Sequence, residues 1–165
     1  FSLYAVDFNG GQGGTAAPVA GASNNGLSNF FPRYSPDGKW LVFTQSKSGL
    51  VLQPDSKLVI VPAQGGEPRV LAANTPLMNS WHTWSPNSRW LAFAAKGNSP
   101  YTEIYLTHIN DDGQSSPGLR LFRFSHPELA AIVPEFVPTH STEQVSMELA
   151  DPEAAKGESM ATDGR

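Results

Sequence analysis

The sequence predicts an all-β fold made of repeated antiparallel sheets, and two observations carry this prediction. First, the stretch from Tyr34 to Phe43 returns fifty positions later from Trp84 to Phe93, with Ser, Pro, Trp, Leu and Phe at matching positions. Second, 14 prolines and 15 glycines among 165 residues indicate many turns and argue against long helices. At this length we expect one domain.

Each copy of the repeat contains two strands joined by a tight turn. Pro36 sets φ at the first central turn position, Asp37 suits the second, and Gly38 can take a positive φ after it. The second copy has Ser88 at the position of Gly38. A Cβ costs about 1 kcal/mol in the left-handed conformation. We therefore expect a hairpin in both copies, with the second turn the weaker of the two.

The strand after each turn is apolar on both faces. Alternate residues of a strand point to opposite faces, so Trp40 and Val42 lie on one side and Leu41 and Phe43 on the other. A sheet with one face in water would alternate apolar with polar residues. We therefore expect both faces to be covered, as in the stacked blades of a β-propeller, whose repeats also have this length.

These residues resemble the repeat of the TolB-type β-propellers, a WD-like blade. The resemblance starts with the Ser-Pro-Asp-Gly-Lys-Trp-Leu-Val-Phe stretch, continues through Lys57 to Val61 and ends at Gly65-Gly66-Glu67. It covers roughly residues 1–124 and departs at Asn87-Ser88. Similar repeats occur in the propellers of prolyl-oligopeptidase-like peptidases. The resemblance implies four-stranded antiparallel blades, about two and a half of them, in an open, incomplete arc. It also implies a bacterial periplasmic or otherwise exported location.

The pattern divides the chain into a partial propeller at 1–138 and a disordered acidic tail at 139–165. Within the propeller we expect a strand of a preceding blade at 1–8, complete blades at 30–73 and 79–124, and a closing segment at 125–138. The eight strands of the two complete blades are predicted at 30–35, 40–45, 57–62, 68–72, 81–85, 90–95, 103–108 and 119–124. The tail holds the whole charge excess, since residues 1–138 carry nine acidic and nine basic side chains. A body without net charge gives no electrostatic footprint for nucleic acid.

Candidate catalytic and metal-binding residues do not form a recognised constellation. Ser80 and His82 lie two apart in a predicted strand, but the chain has no Gly-x-Ser-x-Gly nucleophile elbow. None of the four histidines has metal-ligand spacing, and Asn110 to Gly113 is ordinary turn chemistry. The absence of cysteine excludes disulfides, thiol catalysis and Cys-ligated zinc. We expect no catalytic, cofactor or metal residues, no enzymatic activity and no transmembrane segment, because no apolar run approaches about 18 residues.

The resemblance places the innermost strand of each blade at a central channel, with Arg33, Trp81 and His82 near its mouth. Tryptophan and arginine are enriched at contact hot spots, so we predict these three residues to bind a protein or peptide. The alternative is that Trp81 and His82 only pack between blades.

Three functional hypotheses follow. The first is a non-enzymatic, TolB-like module of the bacterial cell envelope that binds a protein or peptide. The second is the gating or substrate-positioning propeller of a prolyl-oligopeptidase-like serine hydrolase whose catalytic domain is not in this chain. The third is a purely structural pair of blades inside a larger enzyme or cytochrome complex. In each case we expect further blades of a parent chain as partners.

Overall fold

The computed structural model describes residues 1–97, 99–126 and 128–137. In these ranges it contains three antiparallel sheets. The N-terminal sheet pairs β1 (Tyr4–Ala5) with β2 (Ala17–Pro18). Sheet I has the order β3 (Ser28–Tyr34), β4 (Trp40–Ser46), β5 (Lys57–Pro62) and β6 (Arg69–Val70). Sheet II has the order β7 (Asn79–Trp84), β8 (Trp90–Ala95), β9 (Glu103–His108) and β10 (Leu119–Arg120).

The predicted all-β class with antiparallel four-stranded sheets is confirmed, and the sheets do not close into a ring within the described residues. The strand predicted at 119–124 is wrong in its second half. The chain leaves the sheet after Arg120 and forms a 3-10 turn at Phe122–Phe124, closed by a hydrogen bond from the Phe124 amide to the Leu121 carbonyl. A second 3-10 turn spans Asn9–Gly11. The predicted acidic tail lies outside the described residues.

The two turns of the repeat have the same hydrogen-bond network, atom for atom. In sheet I, the Ser35 hydroxyl donates to the Asp37 carboxylate at 2.6 Å and accepts from the Trp40 amide at 3.0 Å. In sheet II, the corresponding distances from Ser85 to Asn87 and Trp90 are 2.7 and 2.9 Å. Gly38 has a φ of 72° and Ser88 a φ of 59°. The prediction of a left-handed residue at the end of both turns is therefore confirmed.

Ser88 also joins the two turns to each other. Its hydroxyl oxygen accepts a hydrogen bond of 2.9 Å from the amide of Asp37, which lies 51 residues away. Glycine at this position would relieve the left-handed backbone but would lose the bond. Ser88, where the second copy departs from the repeat, therefore makes a contact between the two sheets.

The sheets stack face to face through two apolar clusters. One side of sheet I packs against sheet II, and the cluster between them contains Val42, Leu58, Ile60, Leu71, Ala73, Trp84, Leu91, Phe93, Ala95, Tyr105 and Ile109. The other side of sheet I packs against the N-terminal sheet through Leu41, Phe43, Val59 and Val61, with Val19, Ala22 and Leu3 opposite. Both faces of β4 are therefore covered, as its apolar pattern predicts.

The same backbone hydrogen bonds recur within and between successive units of the chain, by which we mean the N-terminal sheet, sheet I, sheet II and the residues that follow sheet II. Near the start of β3 and β7, and again at Ala131, a backbone amide bonds to a carbonyl just before the third strand of the preceding unit. The bonds run from Asn29 to Phe1 at 3.0 Å, from Asn79 to Ser56 at 3.1 Å, and from Ala131 to Thr102 at 2.9 Å. Fourth strands bond to third strands in the same regular way: Val19 to Leu3 at 3.0 Å, Leu71 to Leu58 at 3.0 Å, and Leu121 to Ile104 at 2.8 Å. The Ala131 amide therefore lies beside sheet II as the Asn79 amide lies beside sheet I, although residues 131–137 form no strand.

In the described ranges, the structure contains no helix with the length and apolar character that a membrane crossing requires.

Candidate functional site

The first strands of sheets I and II carry the same bulge. The register with the neighbouring strand shifts between Phe30 and Arg33 in β3 and between Ser80 and Thr83 in β7. Within these bulges Phe31 has a φ of 51° and Trp81 a φ of 46°. Positive φ is rare for a bulky residue, and such strain costs on the order of 1–3 kcal/mol unless the surroundings hold it. The two sheets therefore hold an aromatic residue in the same unfavourable conformation at equivalent positions.

The bulges bring the two aromatic rings together. The ring centroids of Phe31 and Trp81 are 6.4 Å apart, at an interplanar angle of 32°. With them, the side chains around a small cavity of about 140 Å³ are Arg33, His82, Val133 and Glu135. One water occupies roughly 30 Å³ of liquid, so the cavity has the volume of only a few waters. It is therefore suited to a single small side chain. All three residues predicted to bind, Arg33, Trp81 and His82, line this one cavity.

Glu135 completes the cavity and was not among the residues predicted from the sequence. One carboxylate oxygen lies 3.3 Å from an Arg33 guanidinium nitrogen, and the other accepts a hydrogen bond of 3.0 Å from the Thr83 hydroxyl. Arg33 and Glu135 each expose about half of their side chains. Glu135 therefore connects the first strands of both sheets to residues 131–137.

A sequence signal for Glu135 does exist. The residues from Val133 to Val137 (VPEFV) have proline at the second place and an aromatic residue at the fourth. The residues from Phe31 to Ser35 (FPRYS) have the same pattern 102 positions earlier. By this alignment Val133 corresponds to Phe31 and Trp81, and all three line the cavity. A third copy of the first-strand sequence pattern is therefore readable, although it lacks the turn that identifies the other two and the structure assigns no strand to it.

His82 is a buried, neutral member of the site. Its side chain is almost fully buried, and its Nε2–H donates a hydrogen bond of 3.0 Å to the Val42 carbonyl. Burial lowers the pKa of His82 to about 4, because the charged ring would lose its hydration. The Nδ1 atom is then an acceptor, and it has no hydrogen-bond partner among the residues that the structure describes.

Ser80 and His82 do not form a nucleophile and base pair. The Ser80 hydroxyl lies 3.3 Å from the Thr44 hydroxyl, while His82 uses its Nε2–H on the Val42 carbonyl. A serine nucleophile needs a base within hydrogen-bond reach, and the described contacts of Ser80 supply none. Nor do the described ranges contain a group of three or more acidic, histidine or cysteine side chains that could hold a metal ion.

The arrangement is suited to holding a ligand. An aromatic wall and a half-exposed ion pair surround one small space, with the buried ring of His82 beside them. The backbone beneath it is fixed, because the Trp84 indole N–H donates a hydrogen bond of 3.1 Å to the Arg33 carbonyl. In comparisons with known proteins, no family model matches this chain and no curated protein matches it significantly.

Proposed function

We propose that this chain is a non-enzymatic binding module that takes a protein or peptide ligand at the cavity between Phe31 and Trp81. In this proposal the stacked sheets are blades of a TolB-like β-propeller, about two and a half of them, from a bacterial periplasmic or otherwise exported protein. The sequence repeat and the recurring inter-sheet hydrogen bonds support the propeller.

The paired bulges are the observation that carries the binding proposal. A packing role alone does not need two aromatic residues in left-handed conformations, since a regular strand would bury them without strain. Backbone strain of this kind clusters at ligand sites, where the surrounding structure holds it in place. In both sheets the strained residue lines the same cavity, and its neighbours are the cationic and buried polar groups already described.

The residues around the cavity support a proposal for the chemistry of the ligand. The rings of Phe31 and Trp81 fit one small apolar side chain, and their edges and faces favour contact with it. The exposed ion pair of Arg33 and Glu135 lies at the rim, where polar groups set orientation more than affinity. We therefore expect a peptide that inserts one small apolar residue between the two rings.

The test is selection from a random peptide display library, followed by fluorescence anisotropy with the selected peptides. Trp81→Ala removes one ring of the cavity and should weaken binding at least about thirtyfold, as expected for a hot-spot residue. Trp90→Ala is the matched control, since this tryptophan lies outside the cavity lining. Both variants are first checked for a cooperative thermal melt. Equal losses for the two variants, or selection of no peptide that Trp81→Ala weakens, would contradict the proposal.

A further inference from the structure

Three buried side chains of β7 reach across to sheet I, and we call them the β7 clamp: Ser80, His82 and Trp84. The Ser80 hydroxyl lies 3.3 Å from the Thr44 hydroxyl. The His82 Nε2–H donates a hydrogen bond of 3.0 Å to the Val42 carbonyl, and the Trp84 indole N–H donates one of 3.1 Å to the Arg33 carbonyl. Alternate residues of a strand point the same way, so one side of β7 is bonded to sheet I along its length.

The contacts of the β7 clamp bracket the bulge of sheet I. The register of β3 and β4 shifts between the pair Phe30–Thr44 and the pair Arg33–Val42. One clamp contact falls on the pair before the shift, and two fall on the pair after it. Phe31, with its positive φ, lies between the two pairs. The clamp therefore holds the backbone on both sides of a residue that forms one wall of the cavity.

The bulge itself does not depend on such a clamp. At the matching positions β3 has Phe30, Pro32 and Tyr34, and the same bulge still forms. Phenylalanine and proline side chains have no N–H or O–H to donate, so the repeat does not require polar side chains there. The clamp belongs to one sheet and its partners belong to the other. What it adds is therefore a fixed distance between the two bulges.

We propose that the β7 clamp positions the two walls of the cavity and so sets the size of the side chain that fits between them. Phe31 and Trp81 lie on different sheets, with ring centroids 6.4 Å apart. A shift of one sheet against the other changes this gap, and the clamp resists the shift because breaking its bonds leaves buried carbonyls unpaired. Sites keep their geometry when the groups beneath them are locked in this way. The size selection rests on the proposed peptide binding, whereas the gap between the rings does not.

The gap can be measured without a ligand. The chain has four tryptophans, so labelling with 5-fluorotryptophan gives four fluorine NMR signals, and Trp81→Phe identifies the signal from the cavity. Trp84→Phe keeps a ring and removes the indole N–H. Thr44→Val keeps the shape and removes the hydroxyl that Ser80 contacts. We expect both variants to move the Trp81 signal in the same direction as Phe31→Leu, which removes the facing ring.

Two control variants leave the β7 clamp intact. Trp90→Phe is the same substitution at a tryptophan outside the cavity lining. Ile109→Val removes one methyl group from the cluster between the sheets. Neither should move the Trp81 signal. Each variant is first checked for a cooperative thermal melt, and Thr44→Val carries the test if Trp84→Phe does not fold.

Size selection is measured by fluorescence anisotropy with the peptides from the display selection, remade with valine or leucine as the inserted residue. One methylene in an apolar pocket changes affinity roughly tenfold or more, and we expect the unsubstituted chain to prefer valine by about that factor. Trp84→Phe should lose most of this preference, and Ile109→Val should keep it. A residue with only a structural role would weaken both peptides equally and leave their ratio unchanged.

Two outcomes would overturn the proposal. A Trp81 signal that neither clamp variant moves, in folded protein, would show that the clamp does not set the gap. A ratio of valine to leucine affinity that is unchanged in Trp84→Phe would show that the clamp does not set the size of the accepted side chain. If no peptide is selected, the binding proposal fails by itself, and the fluorine spectra still decide whether the clamp sets the gap.

Discussion

Sheets I and II are two copies of one repeat with the same strand order, the same turn network and the same bulge, but they differ in what covers them. Sheet I has a neighbour on each face, and the centre of β4 is fully buried on both sides. Sheet II has sheet I on one face; on its other face Ala92 and Ala94 are buried, but Trp90 at the start of β8 is 40% exposed. The repeat therefore determines the backbone, while burial depends on the neighbouring unit.

The side chains follow this difference in cover. Val42 and Thr44 in β4 correspond to Ala92 and Ala94 in β8. Smaller side chains on the outer face of sheet II leave less apolar surface to cover. On the face that meets sheet I, by contrast, the Leu and Phe of the repeat are kept as Leu91 and Phe93. Identity is therefore kept on the face of sheet II that meets sheet I, while the buried positions 92 and 94 on its other face have smaller side chains.

The largest expected effect concerns His82, a titratable side chain that is present in the bulge of sheet II and absent from the bulge of sheet I. His82 in sheet II corresponds to Pro32 in sheet I. Its pKa is lowered to about 4 in the folded protein, against an unfolded value of 6.5. The stabilisation that His82 contributes is therefore complete above about pH 6.5 and is lost as the pH falls toward 4. The loss should be roughly 3 kcal/mol in the free energy of unfolding.

This pH dependence is measured by urea unfolding between pH 7.5 and 4 for the unsubstituted chain and His82→Gln. We expect the variant to be less stable at pH 7.5 and to show a smaller decline on acidification. Equal declines in the two proteins would mean that His82 does not stay neutral in the fold.

The next effect compares the two repeat tryptophans directly. Trp40→Ala removes a ring that packs in the cluster between the sheets and under Arg69, so we expect a loss of about 3 kcal/mol. Trp90→Ala removes a ring that is 40% exposed and contacts His108 edge-on, so we expect about 1 kcal/mol. Urea unfolding of both variants, at a concentration where the chain is monomeric, measures the difference. Equal losses would show that the two faces are equally covered.

The smallest effect concerns the two turns. A Cβ at Gly38 would meet open space, so Gly38→Val should cost the left-handed strain, somewhat more than about 1 kcal/mol. Ser88→Gly should be nearly neutral, because relief of the same strain offsets the lost bond to the Asp37 amide, which is worth about 1 kcal/mol. Ser88→Ala keeps the strain and loses the bond, so it should cost about 1 kcal/mol. A clearly stabilising Ser88→Gly in chemical denaturation would show that the bond contributes nothing.

The parts of the fold that the sequence predicted are those that depend on neighbouring residues. The positive φ of Gly38 and Ser88 follows from turn chemistry, and the two covered faces of β4 follow from the alternation of a strand. The bulges at Phe31 and Trp81 have no such local signal. A bulge changes the register by one residue, and nothing in an apolar stretch marks where that occurs.

The candidate site was predicted only in part, because some of its contacts exist only once the sheets are stacked. Arg33, Trp81 and His82 were placed together through the resemblance, and the structure does bring them to one cavity. Glu135 was not predicted, because its partners Arg33 and Thr83 lie 102 and 52 residues away and only stacking brings them close. The link from Ser88 to Asp37 likewise requires two sheets to be docked before it exists.

The recurring bond from each unit's first strand to the unit before it has a consequence for how the molecule opens. In residues 1–97, 99–126 and 128–137 these bonds join consecutive units, as in solenoid arrays, where stability is approximately a sum of units and nearest-neighbour contacts. Fluctuations should then begin at the outer units and move inward, so that amide hydrogen exchange is fastest in β1 and β2 and slowest in β4 and β5. The bulges lie on β3 and β7, one on each side of the sheet I–sheet II contact. Fraying at either end of the chain can therefore proceed while both strained aromatic residues stay in place.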